Sequence, residues 1–197
     1  MAKKGIKYER NRRSKRIANN VILIICCGET EEEYFKGFNI DLGKVRIKTI
    51  TQPENPTSII KYAMKLREND TYRKIWCVFD KDEFQDFDEA ILLGKKEKIG
   101  VAFSNQAFEY WYILHYERAN RSIDRKQYSA ILARHIDRPY NKLELDMYTL
   151  LKDKMDFAIE NAKVIHQLHK KDGGLPSSWE SCTTVYQLVE ELLKWKE

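Results

Sequence analysis

Two aspartates separated by one residue, Asp80 and Asp82, are the sharpest chemical signal in this sequence. In extended backbone, residues i and i+2 face the same side, so both carboxylates are expected to converge where the apolar strand Lys74–Phe79 leaves the core. An oxygen-rich, thiolate-free pair suits Mg2+ or Mn2+, and a hard cation can polarise a phosphoryl oxygen and activate water. The same two residues also serve as turn formers, with Asp82 capping nearby amides. Glu109 sits just inside a helix after another strand, on the same rim of the sheet, where it also suits a helix N-terminus. Glu29 and Glu31 follow a third apolar run, Val21–Cys27. Glu29, Asp80, Asp82 and Glu109 therefore form a coherent acidic cluster if strand order brings three strand ends together. His115 lies about 120° around the helix from Glu109 and shares a face with Phe108 and Trp111. It reads as a core or interface histidine, with an auxiliary proton-transfer or phosphate-binding role as the alternative.

The elements that must position these residues alternate. Val21–Cys27 is unbroken, apolar and β-branched, as a parallel strand buried on both faces should be. Gly28 makes a turn, and Thr30 to Glu33 fits a capping box opening a helix over about 31–39. Strands are expected at Val45–Thr51, Lys74–Phe79 and Gly100–Phe103. Helices are expected over Thr57–Asn69, from Asp86, and over about Gln106–Tyr116 with Ser104 or Asn105 as cap. Four strands alternating with helices imply βαβ units and a parallel sheet. Beyond residue 120 no strand is expected, only helices near Lys126–Ile136, Asp146–Lys170 and Thr183–Lys196. The expected organisation is an arm over 1–20, an α/β core over 21–118 and a helical extension over 119–197, packed on the core.

Charge is unevenly placed. The chain has a formal net charge of +5, and residues 1–20 hold eight basic residues (Lys3, Lys4, Lys7, Arg10, Arg12, Arg13, Lys15, Arg16) against one acid, Glu9. Such an arm suits a nucleic-acid phosphate backbone, DNA or RNA, or serves as a solvated, solubilising tail. No apolar run approaches the roughly 20 residues of a membrane span, and no signal-peptide pattern is evident. The four cysteines form no Cys-x-x-Cys motif and suit reduced thiols in a cytoplasmic protein.

Several motifs follow in order: Cys-Cys-Gly-Glu-Thr-Glu-x-x-Tyr-Phe at 26–35, Trp-Cys-Val-Phe-Asp-Lys-Asp-Glu at 76–83, Ser-Asn-Gln-Ala-Phe-Glu-Tyr-Trp at 104–111 with His115, and Thr-x-Val-Tyr-x-Leu-Val at 183–189. Together they resemble the RloB-like family. The resemblance implies a TOPRIM-like α/β fold and Mg2+- or Mn2+-dependent phosphodiester cleavage in a bacterial antiphage system, of the abortive-infection or restriction-associated kind. It also implies a separately encoded ATPase partner, and it leaves homo-oligomers open. Asp80 and Asp82 match the family's Asp-x-Asp, and Glu109 matches the glutamate of Ser-Asn-x-x-Phe-Glu. In the family-like pattern Cys-Glu-Gly the middle residue is here Cys27, a poor Mg2+ ligand, so Glu29 is the expected substitute as ligand or general base. The alternative is a catalytically impaired subunit that binds nucleic acid or a partner.

Overall fold

A computed structural model describes residues 20–119 and 121–196. The basic arm residues, Lys3 to Arg16, lie outside the described residues.

The chain begins with β1 (Val21–Cys26), α1 (Glu29–Gly37), β2 (Arg46–Thr51), α2 (Pro56–Asn69) and β3 (Lys74–Asp80). It continues through α3 (Phe87–Glu97), β4 (Gly100–Asn105), a short α4 (Glu109–Ile113) and α5 (Tyr128–Ile136). Then come α6 (Met147–Leu151), α7 (Met155–Asp172), β5 (Cys182–Thr183) and α8 (Val185–Leu193). The fold is mixed α/β, with one sheet in the order β2-β1-β3-β4-β5. The first four strands are parallel, and β5 joins β4 antiparallel through Ser104↔Thr183 and Asn105↔Cys182.

Both faces of the sheet are covered, which is why β1 reads as a continuous apolar run. Ile22, Ile24 and Cys26 join Trp76, Val78 and Ala102 on one face, under α1 and the C-terminal helices. Leu23 and Ile25 join Ile75, Cys77 and Phe79 on the other face, under Ile59 and Ile60 of α2 and Phe87 of α3. This period of two is the pleat of the strand. Each such fully buried side chain contributes about 1.5–3 kcal/mol relative to exposure.

Strand order sets where a ligand can sit. The chain leaves β1 to one side for β2, then crosses back past β1 to β3. The carboxyl ends of β1 and β3 therefore flank the point where the order reverses, the crevice that open α/β sheets use for ligands.

Several local expectations are corrected. The Thr30–Glu33 capping box does not form. Gly28 is instead the N-cap, in extended backbone, and α1 starts at Glu29 with Glu29, Glu31 and Glu32 in its first turn, an arrangement that favours the helix dipole. Ser104 and Asn105 do not cap a helix but remain in β4, where Ser104 Oγ lies 3.1 Å from Thr183 Oγ1. The single long helix expected from Asp146 is divided into α6 and α7 by a tight turn at Lys152–Lys154. The expected absence of strands beyond 120 is overturned by β5, whose two residues are too few to show a period of two. Among the described residues, no helix is long and apolar enough to cross a membrane.

Candidate metal centre

Three carboxylates from three elements lie near enough at the crevice beyond β1 and β3 to shift one another's ionisation. Asp80 is the last residue of β3. Its Oδ2 accepts the backbone N–H of Phe108 at 3.0 Å, capping α4 from outside, because that helix has no side-chain cap of its own. The same bond fixes where Glu109, the first residue of α4, points. The Asp80 Oδ1 atom is closed off from solvent and has no hydrogen-bond partner. Although Asp80 as a whole is half-buried, the lack of any partner for this oxygen decides its character. Burial, joined by the neighbouring carboxylates Glu31 and Glu109, pushes its carboxyl well above the usual range.

Glu31 is the third member, and its residue is only 4% exposed. Burial pushes its carboxyl up to about 7, with Glu109 adding to the shift and Lys142 opposing it. Its carboxylate lies over the turn at Gly28, where an added Cβ would meet Glu31 Oε2 at 2.9 Å. Glu109 is equally buried and accepts a 2.6 Å ion pair from Lys142 Nζ. The Tyr140 hydroxyl makes a longer contact of 3.5 Å to the same oxygen. Cys27 borders this group. Burial, then Glu31 and Asp80, push its thiol up to about 12, so it stays protonated near neutrality and offers no thiolate.

The remaining residues singled out from sequence are placed elsewhere. Glu29 begins the same helix as Glu31 but is exposed. Asp82 lies beyond the end of β3 with φ 38, so the strand's alternation stops before it. Its exposed carboxylate pairs with Arg125, and Asp82 is not among the charges acting on Asp80. His115 is buried, with Nδ1 2.9 Å from the Trp111 carbonyl and Nε2 unpartnered. Burial lowers its pKa to about 4.

The sequence points to Glu29 at the centre, and the structure puts Glu31 there instead. The signal was present: Glu31, Tyr34, Phe35 and Phe38 follow the i, i+3, i+4, i+7 spacing of a buried helical stripe, and all four are buried. A carboxylate on that stripe belongs inside. Lys142 and Tyr140 come from an irregular segment and carry no such signal.

An all-oxygen set with one orphaned buried oxygen fits a hard divalent cation in chemistry. Among the described residues, however, no three His, Cys, Asp or Glu side chains converge closely enough to hold a metal ion as they stand. The Lys142 ammonium supplies the positive charge at Glu109 instead.

A family model described as RloB-like protein matches residues 22–192. No curated protein matches the chain, and no solved structure does.

Proposed function

The chain belongs to the RloB-like family, and from that premise we propose that it is a metal-dependent enzyme cleaving phosphodiester bonds in nucleic acid. Glu31, Asp80 and Glu109 are the residues that would hold Mg2+ or Mn2+. The observation that carries this reading is the unpartnered, buried Asp80 Oδ1 beside two further buried carboxylates. Leaving a buried acceptor unsatisfied costs about 1–3 kcal/mol, and a cation removes that cost.

A divalent ion held there would supply a Lewis acid for a phosphoryl oxygen and help activate water. The chain's own residues set the rest. Asp80 holds α4 in place through the Phe108 amide and so orients Glu109. Tyr140 and Lys142 wall one side, and Lys142 is a cation able to face a phosphate once Glu109 is neutralised. Glu29 and Asp82 stand at the rim, where they can order solvent or substrate but do not reach the buried carboxylates. Family resemblance supports the wider reading: a TOPRIM-type effector of a bacterial antiphage system, with the arm on the phosphate backbone and an ATPase as partner.

A second reading, a binding subunit that does not cut, is favoured by the Lys142–Glu109 pair, which already neutralises one carboxylate, and by the protonated thiol of Cys27. One experiment decides between them. Single- and double-stranded DNA and RNA are incubated with the purified protein in Mg2+, Mn2+ or EDTA, beside Glu31→Gln and Asp80→Asn. Metal-dependent cleavage that falls roughly 100-fold or more in both variants is expected. Equal cleavage by all three proteins, or none by the wild type in either metal, overturns the enzymatic reading.

A further inference from the structure

The opposite edge of the sheet carries the opposite charge. The amino ends of β1 to β4 lie together there, roughly 20 Å from the acidic crevice along the seven residues of β3. A cavity of about 460 Å³ opens at this edge, lined by five cations (Arg67, Arg73, Lys74, Lys95, Lys98) together with Tyr72 and Trp76, and by no acid. A second cavity of about 310 Å³ shares Arg73 with it, and is lined by Lys44, Lys194, Lys196 and Trp195, again with no acid. Asn20, where the basic arm joins the described chain, also lines the second cavity.

We propose that these two adjoining cavities form a binding track for single-stranded nucleic acid, distinct from the acidic crevice. The track names where the substrate class of the proposed function would be held, and it rests on that reading only for the class.

Cations at helix C-termini are ordinary, since they favour the macrodipole, and that accounts for Arg67 in the last turn of α2, for Lys95 and the C-cap Lys98 of α3, and for the C-cap Lys194 of α8. It does not account for Arg73 and Lys74 at the start of β3, Lys44 before β2, or Lys196. Some of the charge is already matched: Arg67 pairs with Glu97, Lys74 and Lys194 with Glu191, and Lys196 with Asp41. Among the described residues, Lys95, Lys98 and Lys44 pair with no acid.

A second observation is independent of charge. Tyr72, in the wall of the first cavity, is only half-buried and leaves part of its surface open beside the cations. The Arg73 guanidinium stacks 3.7 Å over the Trp195 ring, so the side chain shared by both cavities already joins cation to aromatic.

Continuity through Arg73 favours a strand over a lone nucleotide, which would fill one cavity. The half-exposed Tyr72 among cations favours single strands over duplex, whose bases are stacked on one another and cannot reach a protein ring.

The test is fluorescence anisotropy with labelled 12-mers of thymidine and of uridine, on the full chain in EDTA so that cleavage does not enter. Comparison is with a matching duplex and with ATP as competitor. Lys95→Glu/Lys98→Glu should weaken binding at least tenfold and make the salt dependence shallower by about one to two units, at roughly 0.7 per phosphate contact. Lys95→Gln/Lys98→Gln, which perturbs folding less, should fall between that variant and the wild type. The thymidine and uridine arms distinguish DNA from RNA. Wild-type affinity in both variants overturns the track, as does duplex binding that equals single-strand binding, or full competition by ATP at equal affinity. Failure to cleave in metal leaves this binding result standing, so the two readings fall separately.

Discussion

Lys142 Nζ lies 2.6 Å from Glu109 Oε1, and the two side chains differ sharply in exposure, 60% against 5%. A surface lysine thus reaches down to neutralise a carboxylate that the fold has removed from water. The pair lies near Asp80, so on the proposed reading the ammonium and a divalent ion would compete for the same negative charge. Lys142→Met should lower stability in EDTA by about 1–2 kcal/mol, because a buried carboxylate loses its partner. The variant should then gain more from Mn2+ than wild type does, through tighter binding of the ion to the folded state. Thermal melts with and without Mn2+ read both effects. Equal Mn2+ shifts in the two proteins would exclude the competition.

Burial raises the Glu31 carboxyl from an ordinary 4.5 to about 7, and this fixes a pH dependence for the metal-free protein. Between those values the native state binds more proton than the unfolded chain. Stability therefore falls as pH rises from about 4.5 through 7 and levels off above. The contribution reaches about 3 kcal/mol at most, and the raised carboxyl of Asp80 acts in the same direction. Urea melts in EDTA at pH 5 and pH 8 should show this loss in wild type and a smaller one in Glu31→Gln. Identical losses in the two proteins would exclude Glu31 as the cause.

Gly28 gives the Glu31 carboxylate its room. A methyl group there would meet Oε2 at 2.9 Å, and the atom displaced is the end of a flexible side chain. Backbone φ at Gly28 is −135, which alanine adopts without strain. Gly28→Ala is accordingly expected to change stability by less than about 1 kcal/mol while altering Mn2+ affinity several-fold. Calorimetric titration beside a thermal melt separates the two. An unchanged affinity would place the Glu31 carboxylate somewhere other than over this turn.

How much of this was legible in the sequence depends on how local each signal was. Val21–Cys26 and Lys74–Asp80 declared themselves by apolar runs that only two-sided burial explains, and the parallel sheet followed from the alternation with helices. Asp80 and Glu109 are legible as acids beyond strand ends, and the fold places them near Glu31. Glu29 and Glu31 are separable only by helical phase, and a cap at Thr30 with a helix over about 31–39 leaves Glu29 outside the helix that in fact begins with it. Pairing Asp82 with Asp80 requires extended backbone past the strand end, where the chain in fact turns to a positive φ. Lys142 was not legible, because its partner lies 33 positions away in sequence and no periodicity governs the loop that carries it.

Behind the acidic crevice, Trp111 Nε1 donates to the Tyr34 hydroxyl at 2.9 Å, and that hydroxyl donates to Met155 Sδ at 3.5 Å. The chain joins α4 to α1 and α7 through a fully buried core. Tyr34→Phe would leave the indole donor without an acceptor, at a cost of about 1–3 kcal/mol. The melting temperature should fall by roughly 2–12 °C for a chain of this size. No change in melting temperature would show that another acceptor takes the indole proton.

The β4–β5 pair has a consequence for the newborn chain. Ser104 and Thr183 are 79 positions apart, yet the outer side of β4 is closed only by β5 and by hydroxyls that follow it, such as Thr184 Oγ1 accepting the Phe103 N–H at 2.9 Å. At about 5–20 residues per second, translation needs roughly 4–16 s to supply that partner after β4 has been made. During that interval Phe103, Ser104 and Asn105, the residues that β5 and Thr184 later cover, present a bare strand edge, the kind of surface on which nascent chains associate and chaperones act.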